Sequence, residues 1–249
     1  VLAGKIAIVT GAGKGMGEIH AREFAAQHAA VVLTDVDAVN GRRVADEISA
    51  SGGKAIFVDH DVVDEGSWSN VVVEAERAFG CVNVLVNNAG IFIRDTIENL
   101  SVVDFRRLCE VNVTGTFLGC KVVASSMKRA GGGSIVNVSS VSGIVANMPG
   151  MTGYSATKGA IRMLTKAAAV DLWQHGIRVN SIHPGTIRTP LNEDYFSDPE
   201  KTRLILGSTL MARPGECSEV SAALIFLASD GSSYMTGSEL VVDGGMTAV

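Results

Sequence analysis

The sequence predicts an α/β fold on a doubly wound parallel sheet of about seven strands, and three observations carry that prediction. Short β-branched runs alternate with longer amphipathic stretches, the rhythm of βαβ units buried on both sheet faces. The first run passes directly into a glycine-rich turn and then into a helical pattern. The alternation also continues along the 249 residues with no internal repeat or low-complexity tract. A length of this kind with 47% apolar residues suffices for one large core, so a single domain over residues 1–249 is expected.

Taken in order, the strands are expected at Lys5–Thr10, Val31–Asp35, Ala55–Asp59, Val82–Val86, Ser134–Ser139, Arg178–His183 and Glu239–Val242, with helices filling most of the gaps. The longest helical pattern runs from Gly153 to Trp173. Pro190–Pro214 breaks the series, mixing Asn, Asp, Tyr, Phe and Pro, and is expected to form a substrate lid over about residues 190–212. Leu240–Val249 keeps an apolar tail, which is expected to need a neighbouring subunit to hold it.

A net charge of −5 without a basic block excludes the electrostatic footprint that nucleic acid or an anionic membrane requires. No apolar run reaches the roughly 18 residues of a membrane span, and the start shows no secretory pattern. A cytoplasmic protein handling small molecules is therefore expected. Cys81, Cys109, Cys120 and Cys217 lack CxxC spacing and the five histidines form no HxxxH pair, so no metal site is expected.

The turn Thr10-Gly11-Ala12-Gly13-Lys14-Gly15-Met16-Gly17 follows the first strand and opens a helix near Glu18. Glycine lets the backbone approach a pyrophosphate closely, and the helix N-terminus supplies free N–H groups and partial positive charge. The second strand ends in Asp35, about 20 residues on, where a carboxylate accepts hydrogen bonds from ribose hydroxyls. A 2′-phosphate there would meet that charge, so NAD is expected over NADP, although Lys14 beside the turn pulls the other way. Asp61 and Val62, after the third strand, are read as adenine contacts, with a turn or cap role for the acid equally open.

With these features, Asn87-Asn88-Ala89-Gly90, Asn112, Asn137-Val138-Ser139-Ser140, Tyr154-Ser155-Ala156-Thr157-Lys158 and Pro184-Gly185 stand in an order that resembles the short-chain dehydrogenase/reductase family over essentially the whole chain. The likeness is to NAD-dependent secondary-alcohol and hydroxysteroid members. It implies a Rossmann-type single domain, a homotetramer, and hydride transfer between the nicotinamide cofactor and an alcohol or ketone. It further implies Tyr154 as acid/base, Lys158 as its partner and ribose contact, Ser140 on the substrate oxygen and Asn112 in a water relay. Asn88, Ala89, Gly90, Pro184, Gly185, Ile187 and Thr189 are implied as further cofactor contacts.

Chemistry supports the same pair. Tyr154 and Lys158, four residues apart on a helix, project from one face. A lysine ammonium and an oxidised nicotinamide both favour phenolate, so the tyrosine is expected to be brought down from its ordinary pKa of about 10. A neutral donor such as the Ser140 hydroxyl stabilises negative charge on a carbonyl oxygen. Asn112, in an apolar helical setting, needs partners, whether for a relay or for a structural bond. The substrate wall is expected from Ile91, Phe92, Ser142, Val145, Met148, Met151, Leu191, Tyr195, Phe196 and Met211, with Arg94 and Arg188 as nearby cations. Its apolar character predicts an uncharged alicyclic alcohol of terpenoid, hydroxysteroid or cyclohexanol type. The alternatives are a 3-oxoacyl-carrier-protein reductase, which Asp35 and the acidic balance disfavour, and a non-catalytic NAD-binding sensor.

Overall fold

The computed structural model describes residues 1–146, 148–190 and 192–249; Asn147, Leu191 and the Tyr195 side chain lie outside the described residues. Strands β1 (Ile6–Thr10), β2 (Ala30–Asp35), β3 (Lys54–Asp59), β4 (Val84–Asn87), β5 (Gly133–Val138), β6 (Ile177–Pro184) and β7 (Glu239–Val242) form one sheet in the order β3-β2-β1-β4-β5-β6-β7. Every pairing is parallel. The chain builds outward from β1 to β3 and then crosses to β4 on the other side of β1. This reversal leaves a crevice at the carboxyl ends of β1 and β4.

The helices are α1 (Gly15–Ala26), α2 (Ala38–Ala50), α3 (Glu65–Phe79), α4 (Val102–Cys109), α5 (Gly115–Arg129), α6 (Thr152–Leu172), α7 (Glu193–Phe196), α8 (Pro199–Leu206) and α9 (Cys217–Ala228). Period-two alternation divides the core between the two sheet faces. On one face Ala7, Val9, Val31 and Leu33 pack with Phe24, Val44, Ile48, Val220 and Leu224 of α1, α2 and α9. On the other, Ile8, Val32, Leu85 and Ile135 pack with Trp68, Val71, Leu118 and Val123 of α3 and α5. Burial on both sides explains why these strands read as continuous apolar runs.

Two features differ from expectation. Asn112 does not sit in a regular helix: Glu110–Thr114 forms a π-helical turn between α4 and α5, where a locally widened ladder re-aims side chains. The 190–212 stretch is not an irregular loop but carries α7 and α8; Asp198 caps α8 by accepting from the Glu200 and Lys201 N–H groups. Within the tail, Asp243 accepts from the Gly245 and Thr247 N–H groups and Met246 is buried. No helix among the described residues is long and apolar enough to cross a membrane.

Gly119 shows how tightly α5 seats on the sheet: a Cβ there would stand 2.3 Å from Asn87 Oδ1 and 2.9 Å from the Trp68 ring. Neither neighbour has room to move, because Trp68 is fully buried and Asn87 is held by Thr116 and Asn137. Gly119→Ala is therefore expected to cost about 1–3 kcal/mol by overpacking, read as a lowered Tm; an unchanged Tm would show that the contact is slack.

Candidate active site

The crevice at β1 and β4 is assembled by side chains that satisfy strand ends. The Thr10 hydroxyl accepts from the Asn88 N–H at 3.0 Å and the Ala89 N–H at 2.9 Å, binding the end of β1 to the loop after β4. Asn88 Nδ2 donates back to the Thr10 and Gly11 carbonyls, while its buried Oδ1 has no partner. Gly17 admits this approach because a Cβ there would lie 2.1 Å from the Gly11 carbonyl oxygen. Gly11 and Gly15 take positive φ, at 65° and 61°, in the turn itself. Lys14 precedes α1 with no side-chain cap, so the first N–H groups of α1, from Gly15, Met16 and Gly17 onward, face the crevice mouth uncapped by a side chain.

At the end of β2 the Asp35 carboxylate accepts from the Gly13 N–H at 2.8 Å and the Asp37 N–H at 2.9 Å. Both oxygens are fixed, yet each keeps a further lone pair. Asp61 is exposed and accepts from the Val63 N–H through one carboxylate oxygen, and Asp64 caps α3. Val62 is buried, and its carbonyl accepts from the Trp68 indole. Across the sheet, Pro184 ends β6, and the Gly185 N–H donates to the Val242 carbonyl at 2.9 Å. Ile187 is buried, and the Thr189 N–H and hydroxyl both turn to Asn192 Oδ1.

Ser140, Tyr154, Lys158 and Asn112 converge beside Gly90. Lys158 is buried on α6, 5.5 Å from the centroid of the Tyr154 ring, and its Nζ donates to the Val138 carbonyl at 2.8 Å. Asn112 Oδ1 accepts from the Ile91 N–H at 2.8 Å; its Nδ2 donates to the Ile91 carbonyl and to the Thr157 hydroxyl. A Cβ on Gly90 would approach Asn112 Oδ1 to 3.2 Å and Lys158 Nζ to 3.7 Å. Of the neighbouring serines, Ser139 spends its hydroxyl on the Lys158 carbonyl, whereas Ser140 hydrogen-bonds Tyr154 and accepts from the Ser142 N–H.

Burial pushes the Tyr154 phenol up to about 12, with the Ser140 hydrogen bond acting in the opposite direction. In the chain by itself, desolvation of the phenolate outweighs the Ser140 hydrogen bond. The ammonium is itself desolvated, and burial lowers Lys158 to about 8.

Phe92 packs edge-on against Tyr154 with centroids 5.1 Å apart. Ser142 and Val145 continue from Ser140, and Met148 and Met151 lead into α6, all buried or half-buried. Leu191 and the Tyr195 side chain, also expected on this wall, lie outside the described residues. Met211 and Leu204 are exposed rather than turned into the crevice. Arg188 is engaged by Glu193 and lies over the Phe196 ring, so it is not a free anchor. Arg94, exposed, rests against Gly150 at the outer rim.

A family model described as enoyl-(acyl carrier protein) reductase matches residues 11–247. Cyclopentanol dehydrogenase of Comamonas sp. (strain NCIMB 9872) is 43% identical over 98% of this chain and 97% of its own. A 3-alpha-(or 20-beta)-hydroxysteroid dehydrogenase of Mycobacterium bovis is 44% identical over 99% of this chain and 91% of its own. Among solved structures, 7 alpha-hydroxysteroid dehydrogenase complexed with NADH and 7-oxo glycochenodeoxycholic acid superposes with a TM-score of 0.92 at 36% identity, covering 98% and 94% of the two chains. The chain belongs to the short-chain dehydrogenase/reductase family.

As a short-chain dehydrogenase/reductase it takes a nicotinamide cofactor, and its residues fit one. The α1 N-terminus has no side-chain cap, no atom lies within 4 Å of a Cβ built on Gly15, and Asn88 Oδ1 is an orphaned acceptor beside the turn. Thr10 and Thr157 were missed by sequence reasoning. Their hydroxyls bind Asn88, Ala89 and Asn112 from far along the chain, and only the residue type at the end of β1 hinted at Thr10.

The Lys158 value has a measurable consequence. Between pH 8 and about 10.5 the unfolded chain still holds the lysine proton that the folded chain has released, so stability rises with pH in that window. Above about pH 10 the raised Tyr154 works oppositely, because the unfolded phenol ionises first. Lys158→Met removes the first contribution, so the stability of this variant relative to wild type is expected to fall by about 2 kcal/mol between pH 7 and 9.5. Urea unfolding at the two pH values measures it; a difference independent of pH would show that Lys158 keeps an ordinary pKa.

Proposed function

We propose that this short-chain dehydrogenase/reductase interconverts an uncharged alicyclic secondary alcohol, of cyclohexanol, terpenoid or hydroxysteroid type, and its ketone, using NAD(H). The convergence of Tyr154, Ser140 and Lys158 at the open end of β5 carries the reading. The substrate class rests on the apolar wall of Phe92, Val145, Met148 and Met151, on the engagement of Arg188 by Glu193, and on the named activities of the similar enzymes.

When bound, the nicotinamide would supply the hydride exchange with the carbinol or carbonyl carbon. Tyr154 Oη takes the alcohol proton in one direction and gives it back in the other. The Ser140 hydroxyl stabilises the substrate oxygen as negative charge develops there, and its hydrogen bond to Tyr154 favours the phenolate. Lys158 is braced by Val138 beneath the tyrosine ring and serves as the ribose contact. Asn112, held at both ends of its amide by Ile91, fixes the π-helical turn against α6 and the relay beside Lys158.

Gly11, Lys14, Gly15, Met16 and Gly17 hold the pyrophosphate, Asp61 and Val62 the adenine, and Asn88, Ala89, Gly90, Pro184, Gly185, Ile187 and Thr189 the nicotinamide half. Asp35 selects NAD, since its fixed carboxylate suits ribose hydroxyls and repels a 2′-phosphate. The 190–212 segment closes over the site as a lid of a single domain: Leu204, Leu210 and Met211 are exposed, and Gly207 and Ala212 supply positive φ at its bends. Apolar side chains exposed on α4 to α6, including Phe105, Phe117, Met163 and Val170, support a homotetramer. Four free thiols suit a cytoplasmic setting.

Tyr154→Phe keeps the ring and its contact with Phe92, so the variant is expected to fold and bind NADH while losing more than about 10²–10⁴-fold in kcat for secondary alcohols; turnover near wild type would end the mechanism. Asp35→Ala is expected to raise the ratio of kcat/KM for NADP over NAD by about tenfold or more, as the repulsion of a 2′-phosphate disappears. An unchanged ratio would show that another group selects the cofactor.

A further inference from the structure

Ser140 opens a short 3-10 turn, Val141–Gly143, and both ends of this stretch are tied by side chains outside the motifs described above. At its start, the buried His183 of β6 places Nδ1 3.1 Å from the Ser140 carbonyl oxygen and Nε2 2.9 Å from the Ser181 hydroxyl. A carbonyl oxygen only accepts, so Nδ1 carries the proton, Nε2 accepts, and the Ser181 hydroxyl donates. Ser181 and His183, two residues apart on a strand, share one face, which lets the serine set the orientation of the ring.

The imidazole stays neutral in this place. Burial lowers its pKa, Arg162 and Lys158 act in the same direction, and Glu239 and the Ser140 carbonyl oppose them. At the other end, Arg162 of α6 donates to the Gly143 carbonyl at 2.8 Å and is held by Glu239 of β7 at 2.9 Å. Gly143 lies so close to α6 that a Cβ would be 2.7 Å from the Lys158 carbonyl carbon. The serine turn is thus pressed against the helix that carries Tyr154 and Lys158, and its two ends are set by an imidazole and a guanidinium.

We propose that His183, oriented by Ser181, is a positioning residue for Ser140, holding the serine backbone so that its hydroxyl stays on Tyr154 and the substrate oxygen. Arg162 holds the far end of the same turn. The inference rests on the roles of Tyr154 and Ser140 proposed above. A catalytic hydroxyl must stay within a few tenths of an ångström of its productive place, and a shift of about 1 Å costs up to about 100-fold in rate. The π-system or bulk of His183 has no part in this; the Nδ1–H donor does.

The test uses the full chain with NAD and the fastest substrate among cyclopentanol, cyclohexanol and a 3-hydroxysteroid. His183→Leu is expected to lower kcat by about 10–100-fold with NADH affinity, read by fluorescence, unchanged. It should also move the rising limb of alcohol oxidation to higher pH, because a displaced Ser140 no longer stabilises the phenolate. In His183→Asn the amide nitrogen stands as many bonds from the backbone as Nδ1, so it is expected to restore most of kcat and the wild-type limb. Ser181→Ala should give a smaller loss in the same direction. Equal losses in the Leu and Asn variants with an unmoved limb would overturn the proposal, leaving His183 a packing residue. Should the Leu variant fail to fold, an unmoved kcat and limb in Ser181→Ala overturns it equally. The role of Tyr154 fails separately, on full turnover by Tyr154→Phe, whereas this inference fails with that variant inactive.

Discussion

The hydrogen bonds between the Thr10 hydroxyl and the Asn88 and Ala89 N–H groups close the seam on which the rest of the molecule depends. At this seam β1 and β4 are neighbours in space although their chain connections leave in opposite directions, so no crossover helix covers their carboxyl ends. Backbone groups at such an edge need partners, and a hydroxyl and an amide supply them without filling the crevice. The glycine turn, the Asp35 carboxylate and the Gly90 corner all take their positions from this junction.

Around that seam the acid/base group works against its own burial. A phenol raised by desolvation and a lysine lowered by it share one corner, and neither has a carboxylate partner among the described residues. What holds them is neutral: the Val138 carbonyl on Lys158, the Ser140 hydroxyl on Tyr154, and the Asn112 amide bridging Ile91 and Thr157. A carboxylate near Lys158 would keep the ammonium charged but would also oppose formation of the phenolate. The arrangement accepts a cost in stability to leave the tyrosine free to exchange a proton, the usual tension between a firm core and a working site.

The proposed clamp on Ser140 extends the same pattern outward. His183, Ser181, Arg162 and Glu239 come from β6, α6 and β7, yet they meet on one turn of four residues. Parallel pairing makes this possible, since the carboxyl ends of β5, β6 and β7 stand side by side in register. A site on such an edge draws its precision from neighbouring strands more than from its own loop.

The sequence by itself determined what local periodicity and spacing can carry: seven strands within one or two residues of their observed limits, the glycine turn before α1, Asp35 at the tip of β2, and Tyr154 and Lys158 one helical turn apart. These depend on contacts a few residues long, so pattern alone reveals them. Only the tertiary structure decided which serine faces Tyr154, because Ser139 and Ser140 differ by one residue and a strand end alternates its sides. It also decided that Asn112 sits on a π-helical turn tied to Ile91 and Thr157, and that burial outweighs the Ser140 hydrogen bond at the phenol. Each of these is set by groups distant in sequence whose desolvation and hydrogen bonding no spacing rule contains.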